Sequence, residues 1–353
     1  MKNTKRSSFL ELLRFIFCLV IFLHHSGFFA SDNAYPFKTA GFYGVEFFFI
    51  LTGALSMRHV NYGAPSIGCM KYSVDYTFSK LKRVFPYALI GVVLAYAWFF
   101  VSAGSMMGPK DMLIGRFTFI YEILFLPMAG VMDVGLHSYM NSPLWYLSVL
   151  LFVLPVVVYL AVRFRDVFNN YLCWVLPLFI YAYLIEKFGT IGSWGAYTGV
   201  FYTGILRGLA GLVLGCAIYI LSTRISIERK FLRVLATIFE VCTYIFALMA
   251  FNSNLDGYAY EFAILVMGAG MAFSLSNATY TANIDSRLLI GLGSLSLPIY
   301  CLHWPVYRWI TFVFENNDIH CSYIGATSIA LAITFVLAAV SKLIIDNLRS
   351  KKS

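Results

Sequence analysis

The sequence predicts an all-α fold, a polytopic membrane helical bundle of about ten transmembrane helices with both termini cytoplasmic. Three observations predict it. Of 353 residues, 60% are hydrophobic and 12% charged, and the mean hydropathy is +0.76, which excludes a soluble globule. Apolar runs of bilayer-spanning length recur along the whole chain. Basic residues gather in alternate loops, as cytoplasmic loops require.

In chain order, the expected spans are 8–29, 40–57, 84–103, 143–162, 171–187, 200–222, 234–251, 258–276, 288–313 and 322–346. The patch 117–131, "FTFIYEILFLPMAGV", is short and contains Glu122 and Pro127, so it reads as an interfacial segment or an eleventh span. Charge decides against crossing. Without it, the clusters Lys71 to Arg83, Arg163 with Arg165, Arg224 to Arg233 and both terminal groups (Lys2, Lys5, Arg6; Arg349, Lys351, Lys352) face the cytoplasm. Only Lys38, Lys110, Arg116 and Lys187 then lie outside. The segment 104–142 becomes the longest outer loop. A single membrane domain over 1–353 is expected, with no appended soluble domain and no repeat, and the first span, which lacks a small-residue cleavage pattern, is expected to stay attached.

The net charge of +9 reads as topology and not as affinity for nucleic acid. Cys18, Cys173, Cys216, Cys242 and Cys301 fall in apolar segments and Cys69 and Cys321 in loops, without a CxxC pair, so neither a disulfide framework nor a metal site is implied.

Polar groups inside the spans are the functional signal. In "LRFIFCLVIFLHHSG", eleven residues separate Arg14 from His25. That is about three turns plus roughly 20°, with a rise of about 16 Å, so the two share one stripe, whereas His24 points elsewhere. Alone, either could snorkel to a headgroup layer. Glu46, inside the aromatic run of "GFYGVEFFFILTGAL", sits at the depth of His25 on the next antiparallel span, and a carboxylate–imidazole hydrogen bond between them is expected. Such a pair suits a general base that activates a hydroxyl or amine; the alternative is a structural tie between helices.

"RFIFCLVIFLHH", "GFYGVEFFFILTG", "SKLKRVFP", "PLWYLSVLL" and "IYCLHWPV" occur in the order found in the acyltransferase 3 family, and the chain resembles that family over nearly its whole length. The resemblance implies a ten-helix integral-membrane enzyme that moves an acyl group, usually acetyl from acetyl-CoA, onto hydroxyls of surface or exported polysaccharides and glycolipids. It implies His25 as the catalytic residue with Arg14 as its paired arginine, and Glu46 as the acidic position. Thr52 stands where the family has serine, and the double-arginine motif is met only as Lys80 and Arg83, which keeps charge but loses a guanidinium fork.

The basic group Lys80, Lys82 and Arg83 lies where a CoA nucleotide would arrive; with Arg14 it forms the expected acyl-CoA-binding set, though basic residues also anchor spans. Expected acceptor or cavity residues are Trp145, Tyr146, Tyr300 and His303; Trp145 and Tyr146 also fit an interfacial aromatic belt, and His303 a helix-packing histidine. Arg207 could line a cavity, while Gly204, Gly208, Gly211 and Gly215 mark close helix packing. Acetyl-CoA is expected as donor substrate, with no permanently bound cofactor and no metal. The other partners expected are a saccharide or glycolipid acceptor, the lipid bilayer of the plasma or inner membrane, and polysaccharide-assembly proteins. The rival reading is a transporter or flippase for a lipid-linked saccharide, for which inverted repeats would be the signature.

Overall fold

The computed structural model describes residues 7–29, 41–65, 67–103, 108–130, 140–253 and 255–351. Lys2, Lys5, Arg6, Lys38 and Lys352, used in the topology argument, lie outside the described residues. The helices are α1 (Ser8–His25), α2 (Gly44–Gly63), α3 (Cys69–Ala103), α4 (Pro109–Ile123), α5 (Trp145–Arg163), α6 (Arg165–Val167), α7 (Cys173–Phe188), α8 (Thr203–Ser222), α9 (Lys230–Phe251), α10 (Gly257–Ser276), α11 (Arg287–Asn316) and α12 (Tyr323–Ser350). Among the described residues there is no sheet, only an isolated bridge between Tyr197 and Tyr202.

Nine helices among the described residues are long and apolar enough to cross a membrane. The expected span at 40–57 forms α2, a 20-residue helix whose average hydropathy is lowered by Glu46, Arg58 and His59. The patch at 117–131 does not reach spanning length: α4 stops at Ile123 after 15 residues, Phe125 turns through φ 55, and a short 3₁₀ turn follows at Pro127–Ala129. Local chemistry sets several helix ends. The Asp256 carboxylate accepts from Ala259 N at 2.8 Å to start α10, Ser322 Oγ accepts from Gly325 N at 3.2 Å to start α12, and Asn277 closes α10 in the left-handed region.

The chain divides into two compact units. The first comprises Met1–Phe17, Lys38–Phe78 and Val149–Ser294. Within it α2 lies against α8 at very short range, because α8 offers glycine where the backbones meet: a Cβ on Gly215 would run into the Ile50 carbonyl oxygen. This is the packing role expected of the α8 glycines. Phe17 and Phe47 stack in this core with centroids 4.3 Å apart.

The second unit comprises Cys18–Phe37, Ser79–Ser148 and Leu295–Ser353. Its part of α11 is tied to α1 by Cys18 Sγ donating to the Ser296 carbonyl at 3.1 Å and Tyr307 Oη donating to the Phe22 carbonyl at 3.0 Å. Trp309 Nε1 ties it to α3 through the Leu94 carbonyl at 2.9 Å. Pro298 and Pro305 sit inside α11 without breaking it. Pro305 has no N–H for the carbonyl four residues back. That carbonyl, of Cys301, accepts instead from Asn141 Nδ2 at 3.0 Å. The approach of α3 here needs Gly91, whose Cβ would strike the same carbonyl oxygen.

Asn141 is itself held by Glu122, whose buried carboxylate accepts from the backbone N–H of Met140 and of Asn141, the latter at 3.2 Å. Burial pushes the Glu122 carboxyl from 4.5 up to about 8, against the pull of those two N–H groups. Between about pH 4.5 and 8 the folded protein therefore keeps a proton that the unfolded chain has released. Stability falls as pH rises through that window and levels off above it. The unfolding temperature of wild type should drop between about pH 5 and 8. The same series on Glu122→Gln, which cannot ionise there, should be flatter; equal slopes would contradict this assignment.

Candidate active site

Within the second unit, α1 ends on His25 and α11 presents His303 beside it. His303 Nε2 lies 2.9 Å from His25 Nδ1, with ring centroids 5.0 Å apart. His303 is 1% exposed, whereas His25 is only partly buried.

The partners decide the proton positions. His303 Nδ1 faces two backbone carbonyls, of Tyr300 at 2.7 Å and of Ile299 at 3.3 Å. Carbonyls only accept, so Nδ1 carries the hydrogen and Nε2 of the neutral ring accepts. His25 Nδ1 must then be the donor to His303. His25 Nε2 is left as an unprotonated lone pair on the more accessible of the two rings. A histidine whose far nitrogen is fixed by an acceptor is the arrangement that makes the near nitrogen a base.

Other expected residues join this cluster. Tyr300 donates its hydroxyl to the Pro143 carbonyl, lies 5.9 Å from the His303 ring and meets the half-buried Tyr146 edge-on at 6.0 Å. Trp304 stands edge-on to His25, centroids 5.2 Å apart. Trp145 differs from expectation: at 5% exposure its faces are covered by protein, so it offers no platform for a sugar ring.

On α3 of the same unit, Lys82 and Arg83 are exposed and Lys80 is half-buried. The carboxy-terminal end of α12 adds to this group, since Arg349 Nη2 donates to the Arg83 carbonyl at 3.0 Å.

Glu46 and Arg14 belong to the first unit. The Glu46 carboxylate is fully buried; one oxygen pairs with Arg207 Nε and the other accepts from Tyr181 Oη at 2.6 Å. Arg207 also donates to the Phe42 carbonyl at 2.7 Å. The partners shown for Glu46 are thus Arg207 and Tyr181, and the partner shown for His25 Nδ1 is the His303 imidazole and not the expected carboxylate. Arg207, at 0% exposure, is a buried counter-charge and not a cavity-lining residue. Arg14 Nη1 donates to both oxygens of Glu11, at 3.1 and 2.9 Å, so its charge is largely met one turn away.

Sequence reasoning missed Glu11, Arg349 and the His25–His303 contact. The first was legible as an i, i+3 pair; the other two join distant parts of the chain and left no local signal.

Residues 7–342 match a family model described as an acyltransferase domain. No curated protein and no solved structure matches the chain.

Proposed function

The chain belongs to the acyltransferase 3 family, and from that premise we propose that it moves an acetyl group from cytoplasmic acetyl-CoA to a hydroxyl of a cell-surface or exported polysaccharide or glycolipid, with His25 as general base and His303 as its positioning partner. The observation that carries the reading is the chain of hydrogen bonds from His25 Nδ1 through His303 to the Tyr300 carbonyl, which leaves His25 Nε2 free to take a proton.

In the step proposed, His25 Nε2 removes the acceptor hydroxyl proton as the oxygen attacks the thioester carbonyl. The carbon–sulfur bond breaks, CoA leaves as thiolate, and the imidazolium returns the proton to it. The products are an O-acetyl ester and free CoA. His303 stays neutral throughout; its part is to hold the His25 ring and its tautomer. Tyr146, half-buried beside Tyr300, supplies an apolar face for an acceptor near this pair.

Lys82, Arg83 and Arg349, with Lys80 behind them, suit the CoA phosphates. Replacing Arg83 by alanine should raise KM for acetyl-CoA about tenfold, the worth of one charge-assisted hydrogen bond, and leave kcat nearly unchanged. Steady-state kinetics at two salt concentrations checks this, because a phosphate contact should weaken as salt rises. The cellular setting proposed is the plasma or inner membrane, where polysaccharide-assembly proteins would deliver the acceptor.

The test of the reaction is label transfer in oriented membrane vesicles. Labelled acetyl-CoA supplied on the cytoplasmic face should place label in glycan on the other side. Movement of an unmodified lipid-linked saccharide across the bilayer, with no label acquired, would replace the reading with transport.

A further inference from the structure

Arg308 lies on α11 four residues beyond Trp304 and carries a charge that nothing in the foregoing chemistry uses. It is half-buried. Its guanidinium carbon sits 4.8 Å from the ring centre of Phe28, 5.0 Å from that of Trp98 and 5.4 Å from that of Trp304. Ring faces attract a cation but offer no acceptor to its N–H groups. The ion pairs among the described residues join Arg14, Lys71, Arg207 and Lys342 to acids and leave Arg308 without a carboxylate.

The same place holds further unused donors. Arg308 Nε, Trp98 Nε1 and Trp304 Nε1 are all buried and without a hydrogen-bond partner. Each can only donate. Three buried donors, one of them charged, around one aromatic cage are costly to leave unmet and ask for an acceptor-rich, negatively charged group. Their position is specific, because Trp304 borders the His25 ring at 5.2 Å.

We propose that Arg308, Trp98 and Trp304 bind an oxyanion, a phosphate or carboxylate, carried by the saccharide acceptor, and so set the reacting hydroxyl beside His25 Nε2. This rests on the reading of His25 as the base in an acyl transfer. It narrows the acceptor to an anionic saccharide or a saccharide joined to a lipid through phosphate.

The test measures binding without any acyl donor, so that its outcome does not depend on turnover. Protein in phosphatidylcholine nanodiscs is titrated with a glycosyl phosphate and with the matching neutral methyl glycoside, reading tryptophan fluorescence. The glycosyl phosphate should bind at least tenfold more tightly than the neutral sugar. Arg308→Gln should abolish that preference and Arg308→Lys keep part of it. Should the glutamine variant fail to fold, the wild-type preference and the lysine variant decide the matter.

Equal binding of charged and neutral sugars would overturn the proposal. So would loss of the wild-type response when phosphatidylglycerol replaces part of the phosphatidylcholine, which would assign the donors to a lipid headgroup. A fall in kcat of equal size on charged and neutral acceptors in Arg308→Lys would also overturn it, in favour of a transition-state oxyanion. Preference for the charged sugar in a protein that transfers no acyl group would uphold the binding site while refuting the acyl-transfer reading.

Discussion

Replacing His25 by alanine should reduce acyl transfer by about 10²–10⁴-fold, the usual contribution of a positioned general base. His303→Ala should cost less, about 10–100-fold, as loss of an orienting partner does, and it should fall on kcat with KM unchanged. His303 touches no reacting atom in this account; its Nε2 accepts from His25 Nδ1. A glutamine at 303 has a side-chain carbonyl that can accept from the same N–H, so His303→Gln should recover part of the activity that His303→Ala loses. A histidine that served only to pack α1 against α11 would show no such kcat-selective loss and no such recovery.

The second large effect concerns stability. Arg207 and Glu46 are both at 0% side-chain exposure and pair directly. Arg207→Ala leaves the Glu46 carboxylate buried with only the Tyr181 hydroxyl, at 2.6 Å, for support. Stranding one half of a buried ion pair typically costs about 3–5 kcal/mol. The expected result is a sharp loss of folded protein, seen as a lowered unfolding temperature in detergent. The double variant Glu46→Gln, Arg207→Met removes both charges and should recover most of the loss. If the single variant were fully stable but selectively inactive, Glu46 and Arg207 would belong to the chemistry and not to the scaffold.

The pattern of these residues shows what a membrane sequence discloses. Span existence was legible because lipid demands long apolar helices, and the brevity of the 117–131 patch was legible from Glu122 and Pro127. The importance of His25 and the anomaly of Glu46 were legible for the same reason: polar groups inside spans stand out. Partner choice was not. Sequence gives depth along a helix, whereas the partners of Glu46 come from α7 and α8, 135 and 161 residues away, and that of His25 from α11, 278 residues away. Equal depth made Glu46 the natural neighbour of His25, and α1 does meet α2 through Phe17 and Phe47, but depth does not say toward which neighbour each side chain turns. One distant contact did leave a trace. Pro305 frees the Cys301 carbonyl, which announces a need for an outside donor, and Asn141 supplies it.

The measurement that bears most directly on the central claim is transfer of label from acetyl-CoA to glycan in proteoliposomes, comparing wild type, His25→Ala and His24→Ala at matched protein levels. The account predicts near-complete loss with His25→Ala and substantial activity with His24→Ala. Full activity without His25 would contradict it.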